Sequence, residues 1–190
     1  MKIGLYFGSF NPIHQGHLII ANHVLNESDV KQIWFIVSPQ NPLKDAKSLL
    51  NEHQRYFLTQ LAIEKEKNFR ASNVEFSLPK PSYTIDTLTY LSEKYPQHEF
   101  SIIMGGDSFQ NIEKWKNYNL LLNKYPIFIY QRPGFEINLS LSKKITLLNA
   151  PLLDISATYI RKLISEKKSI RFLLPDAVIE EIEASKYYSK

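Results

Sequence analysis

Near the start of the chain, Gly8-Ser9-Phe10-Asn11-Pro12-Ile13-His14-Gln15-Gly16-His17 gathers glycines, a hydroxyl and two imidazoles into one short turn. Gly8 and Ser9 let the backbone come close to a ligand, and Gly16 takes a side chain away from between the imidazoles. The pattern predicts a helix from about His17. A helix start carries unpaired N–H groups and about half a positive charge, and so attracts anions. With two histidine donors aimed at the same anion, the turn reads as a phosphate site. A turn with two solvated histidines is the plainer alternative. Metal ligation by His14 and His17 would need a third ligand, and none is near in the sequence.

A second cluster, Ile155-Ser156-Ala157-Thr158-Tyr159-Ile160-Arg161, lies far along the chain. Ser156 stands where a helix would begin, with the Thr158 hydroxyl and the Arg161 guanidinium one turn further on. N–H groups, hydroxyls and a forked cation together hold phosphate. A capped helix with a surface arginine is the plain reading of this segment alone. Its pairing with the histidine turn favours phosphate. The chain has neither a G-x-x-x-x-G-K-[ST] loop nor a G-x-G-x-x-G turn, which argues against a P-loop enzyme and a dehydrogenase.

These clusters need a scaffold, and the hydrophobic pattern supplies one. Continuous apolar runs predict strands over residues 2–8, 32–38, 71–78, 99–104, 127–131 and 144–148. Helical periodicity covers 17–26, 52–67, 84–95, about 108–123, 158–166 and 176–185. Strands without polar alternation belong to parallel sheets covered by helices on both faces. The expectation is one α/β domain over residues 1–190, a doubly wound, mostly parallel sheet. Ligands of such sheets bind beyond the carboxyl ends of the strands, where both clusters fall.

Composition narrows the class. The chain has 190 residues, 44% of them apolar, and a net charge of +4 from 23 basic and 19 acidic side chains. Its lysines are scattered rather than striped, so small anionic ligands fit at least as well as a nucleic acid. With no cysteine, a disulfide framework, an iron–sulfur cluster and a thiolate zinc site are excluded. No run reaches the roughly 18 apolar residues of a membrane span, and the first residues do not read as a signal peptide. A cytoplasmic enzyme or binding protein is expected, with no membrane or nucleic-acid partner and with room for a homo-oligomer.

The histidine turn, together with Ile155–Arg161, resembles the nucleotidylyltransferase superfamily. Within it, Ser82-Tyr83-Thr84-Ile85-Asp86-Thr87-Leu88, Gly105-Gly106-Asp107 and Lys114-Trp115 resemble the bacterial nicotinate-nucleotide adenylyltransferases. Asn41-Pro42-Leu43-Lys44, Arg132-Pro133-Gly134 and Leu173-Leu174-Pro175 extend the resemblance over most of the chain. It implies a Rossmann-like fold and transfer of AMP from ATP to nicotinate mononucleotide, giving deamido-NAD and pyrophosphate. By the same resemblance His17 binds the α-phosphate and His14 assists, while Ser156, Thr158 and Arg161 hold the β- and γ-phosphates. Gly8, Ser9, Phe10, Gly105 and Asp107 complete the ATP side, with Asp107 accepting from ribose hydroxyls. Mg²⁺ is expected to come with ATP, chiefly among phosphate oxygens and water. For the mononucleotide, Thr84 and its neighbours would offer backbone donors to the nicotinate carboxylate and Trp115 a stacking surface. Lys44, in a long polar loop, and Arg132, just past a strand, would meet phosphate. The rival readings are a nicotinamide-mononucleotide or dual-specificity enzyme, and a non-catalytic nucleotide-sensing module.

Overall fold

The computed structural model describes residues 1–39, 49–131, 134–151 and 154–189. Six strands form one sheet: β1 (Lys2–Gly8), β2 (Gln32–Val37), β3 (Phe69–Ser72), β4 (Glu99–Gly105), β5 (Ile127–Tyr130) and β6 (Ile145–Leu148). Their order is β3-β2-β1-β4-β5-β6, and every neighbouring pair is parallel. Both edge strands are four residues long.

Side chains alternate between the two faces of the strands, and both faces are dry. From β2, Ile33, Phe35 and Val37 enter one core, while Trp34 and Ile36 enter the other. From β4, Ile103 joins the first core and Phe100, Ile102 and Met104 the second. Helices α1 (Gln15–Glu27), α2 (Glu52–Ile63), α6 (Ala157–Ser165) and α7 (Asp176–Ala184) cover the first face, through Ile20, Leu58, Ile160 and Val178 among others. On the second lie α3 (Thr84–Lys94), α4 (Gly106–Phe109) and α5 (Tyr118–Lys124), through Leu88, Phe109 and Leu121. Full burial of such a side chain is worth about 1.5–3 kcal/mol, which is why the strands read as unbroken apolar runs. Among the described residues no helix is long and apolar enough to cross a membrane.

Three local differences from the sequence expectation matter. Helix α1 begins at Gln15 with His14 as its N-cap, so His17 sits one turn inside. The expected strand 71–78 ends at Ser72, and Val74–Ser77 forms a 3₁₀ turn. That turn buries Glu75, a carboxylate that needs donors a plain strand would not supply. The expected helix 108–123 is broken: α4 gives way to a 3₁₀ turn at Ile112–Lys114, then Asn117 turns left-handed (φ 52°) before α5.

Candidate active site

The strand order reverses between β1 and β4: from β1 the chain winds outward through β2 and β3, and it resumes at β4 on the other side. A crevice opens at the carboxyl ends of such a pair. The histidine turn leaves β1 there, and Gly105-Gly106-Asp107 leaves β4 beside it.

In the histidine turn, Phe10 has left-handed backbone (φ 43°) and folds its ring back into the core. The ring meets Tyr6, Phe35 and His17 edge-on, at centroid distances of 5.9, 5.6 and 5.0 Å. A Cβ on Gly8 would stand 2.8 Å from that ring. Glycine at position 8 therefore makes room for Phe10, and only the backbone of Phe10 is left to meet a ligand. Gly16 has the steric role expected of it: a Cβ there would lie 3.1 Å from His14 Cε1 and Nδ1.

The His14 and His17 rings stack at 3.7 Å. His14 N–H donates to His17 Nδ1 at 3.2 Å. With Nδ1 accepting, the proton of a neutral His17 ring sits on Nε2, which makes that atom a donor. The helix-start amides are less available than the sequence suggests. Gln15 N–H donates to Leu173 O at 2.9 Å and His17 N–H to His14 O at 2.9 Å, so the imidazoles are the main donors of this turn.

Ser156 is the N-cap of α6, its hydroxyl accepting from Tyr159 N–H at 3.2 Å. Its own O–H proton can still be given elsewhere. Arg161, one turn on, donates from Nη1 to Asn11 O at 2.7 Å and from Nη2 to Thr158 Oγ1 at 3.3 Å. The first bond spans 150 residues of sequence and ties the serine–arginine cluster to the histidine turn. Asp107 lies in the first turn of α4, while the N-cap is Gly105.

A second corner forms at the start of α3. Thr84 is its first residue, and Asp86 and Thr87 N–H donate to Tyr83 O, so the amides of Thr84 and Ile85 are the helix-start donors. Lys116 joins this corner to Trp115. Its Nζ lies 2.8 Å from Asp86 Oδ2 and 5.0 Å from the centre of the Tyr83 ring. Trp115 itself is half-buried against the second core. Lys44 and Arg132 lie outside the described residues.

Two residues that the motifs do not reveal hold these loops. Arg55 of α2 is fully buried and donates to Leu50 O (2.7 Å), Ser9 O (2.5 Å), Ser38 O (2.8 Å) and Pro39 O (2.7 Å). It anchors the loops after β1 and β2 together. A sequence signal existed: Arg55 stands three positions before Leu58, on the apolar stripe of α2. Glu75 accepts from Ser82 Oγ at 2.9 Å and Thr87 Oγ1 at 2.8 Å, bracing the start of α3. Burial pushes its pKa up, against the hydroxyl bonds from Thr87, Ser82 and Ser38.

A family model described as cytidylyltransferase-like matches residues 5–163. A Cytophaga hutchinsonii protein named probable nicotinate-nucleotide adenylyltransferase is 52% identical over 190 residues, 100% of this chain and 99% of that protein. A Flavobacterium johnsoniae protein of the same name is 48% identical, with all of both chains covered. The fold is that of a solved Plasmodium falciparum nicotinic acid mononucleotide adenylyltransferase complexed with NaAD. That likeness has a TM-score of 0.84 at 23% identity, over 98% of this chain and 97% of that one. The chain thus belongs to the cytidylyltransferase-like family and, within it, to the nicotinate-nucleotide adenylyltransferases.

Two outcomes follow from these contacts. Gly16→Ala should lower kcat on the order of 10-fold, because the new methyl displaces the His14 ring. The same change should leave the thermal midpoint equal or higher, since alanine favours a helix by about 0.5–1 kcal/mol over glycine. A thermal scan beside a rate assay checks both signs. For Glu75, a raised folded pKa means that the native state binds more protons than the unfolded one above pH 4.5. Its contribution to stability is full below that pH and is lost as pH rises through the folded value. Glu75→Gln, which has no proton to lose, should shrink the difference in thermal midpoint between pH 5 and pH 7.

Proposed function

We propose that the chain transfers the AMP moiety of ATP to nicotinate mononucleotide, with roles divided between the two corners of the site. An oxygen of the mononucleotide 5′-phosphate attacks the α-phosphorus of ATP. The bond from that phosphorus to the oxygen bridging it to the β-phosphorus breaks, and pyrophosphate leaves. Phosphate at pH 7 is already a nucleophile, so the protein has to align two polyanions and neutralise the charge moving to the leaving group. One observation supports this reading above the others: the Arg161–Asn11 bond gathers a guanidinium and two stacked imidazoles on one crevice.

In this reading His17 Nε2–H meets the α-phosphate, where charge develops, and His14 assists. Arg161, with the Ser156 and Thr158 hydroxyls, holds the β- and γ-phosphates, and Asp107 accepts from the ATP ribose. Gly8, Ser9, Phe10 and Gly105 meet ATP through their backbone. The Thr84 and Ile85 amides receive the nicotinate carboxylate beside Trp115, with Lys44 and Arg132 as further phosphate partners. Among the described residues no three His, Asp or Glu side chains come together as a cation cage. Mg²⁺ would come to the site with ATP and offset phosphate charge there. A cytoplasmic setting belongs to the proposal, supported by a cysteine-free sequence.

Removing a donor aimed at developing charge typically costs 10²–10³ in kcat. His17→Ala should lose about that much while its thermal midpoint stays near the wild-type value. Wild-type turnover in the folded variant would remove His17 from the mechanism.

The acceptor is the sharper test. Backbone N–H groups pair with a carboxylate, whereas a nicotinamide amide turns N–H toward N–H and leaves buried groups unpaired. Such mispairing separates analogues far more than a misfitting methylene does, so kcat/KM for nicotinate mononucleotide should exceed that for nicotinamide mononucleotide by at least roughly 10²-fold. Both acceptors assayed side by side with ATP decide it, and equal efficiencies would favour the dual-specificity reading. No pyrophosphate release with either would favour the nucleotide-sensing module.

A further inference from the structure

Beyond α7 the chain turns back toward the histidine turn. Tyr187 N–H donates to Ile182 O at 3.0 Å and closes the helix. Lys186 and Tyr188 are both left-handed, at φ 54° and 63°. Non-glycine residues adopt that region at a cost, and it persists where the surroundings enforce it. The result lays Tyr188 half-buried against the first core, with its hydroxyl donating to Asn11 Oδ1 at 2.8 Å across 177 residues of sequence. The same oxygen accepts from Leu50 N–H at 3.1 Å. Asn11 is buried, and its main-chain oxygen is the one that Arg161 holds.

We propose that Tyr188 is a positioning residue for the ATP half of the site: through Asn11 it sets the direction in which Arg161 points. The chain of cause is short. A guanidinium is a rigid planar fork, so fixing one nitrogen on a carbonyl orients the remaining N–H groups. The carbonyl concerned belongs to a residue whose side chain is pinned from two sides, by the Leu50 amide and by the Tyr188 hydroxyl. Without the hydroxyl the Asn11 side chain keeps the Leu50 amide alone, and the turn that presents the Asn11 carbonyl to Arg161 is held less firmly. Tyr188 is suited to the task because burial raises its pKa, against the pull of Arg55 and Arg161, so the hydroxyl keeps its proton and remains a donor. No motif contains this residue: left-handed Lys186 ends α7, with Lys186 and Tyr187 N–H donating to Glu183 O and Ile182 O, and left-handed Tyr188 follows Tyr187.

The inference rests on the assignment of Arg161 to the β- and γ-phosphates, and the test separates the two. Tyr188→Phe, Arg161→Ala and the double variant are assayed for kcat and for KM of ATP and of nicotinate mononucleotide, each beside a thermal scan. Tyr188→Phe keeps the ring and its packing, so its thermal midpoint should move little. Loss of one hydrogen bond corresponds to a rise of roughly 3- to 10-fold in the KM for ATP, with the KM for the mononucleotide unchanged. In the Arg161→Ala background the same substitution should add nothing, because the residue it steers is gone. An unchanged ATP KM in Tyr188→Phe, an equal rise for both substrates, or a full effect persisting without Arg161 each overturns the inference while leaving the Arg161 assignment standing. An unchanged ATP KM in Arg161→Ala itself overturns both.

Discussion

A guanidinium sealed from water organises this molecule. Arg55 is fully buried with carbonyl oxygens, not carboxylates, as its hydrogen-bond partners: those of Ser9, Ser38, Pro39 and Leu50. Burying a charge costs several kcal/mol unless its hydrogen-bonding capacity is met, and a hydrogen bond to a charged group returns about 1.5–3 kcal/mol. The arrangement is therefore stable only when all these loops stand in one position at once. Burial lowers the pKa of Arg55, and the Glu52 carboxylate opposes that fall. The loop after β1, which leads into the two histidines, thus takes its shape from a side chain buried out of reach of solvent.

The rest of the site is assembled by the same means, from hydrogen bonds that grip main chain. Arg161 holds Asn11 O, Leu173 O holds the Gln15 amide, and Ser156 caps its own helix. Such links carry chain segments far apart in sequence to the crevice where the strand order reverses. The acceptor corner is built differently, from a buried carboxylate that collects hydroxyls on either side of the α3 start and a lysine that spans Asp86 and Tyr83. The two halves rest on opposite faces of the sheet: α1 and α6 pack on the first core, α3 and the Trp115 turn on the second.

Much of this was legible from residue order. Unbroken apolar runs revealed a buried parallel sheet because each strand must satisfy two cores at once, and the histidine turn pointed to the family that the full-length relatives show. Legibility failed where a polar group is satisfied over a distance. Glu75 turned a strand expected over 71–78 into a 3₁₀ turn, and its partners Ser82 and Thr87 lie beyond two prolines. Arg55 carries one mark, its place on the apolar stripe of α2, but its carbonyl partners leave none in a sequence. Asn117 leads the chain into α5 with left-handed backbone, which asparagine tolerates but does not announce. The ring of Phe10 fills the space beside Gly8, a steric need that the sequence does not announce. For Arg55 the deciding contacts reach 46 residues back, to Ser9, and local pattern carries no record of them.

The sheet also ends abruptly on both sides. Its outermost strands, β3 and β6, offer four residues each, and past β3 the backbone coils at once into the turn at Val74–Ser77. A foreign strand laid along either margin would find a run of pairing too short to compensate for its own immobilisation, the means by which natural proteins blunt exposed edges. Short margins of this kind limit edge-to-edge pairing of one molecule with the next.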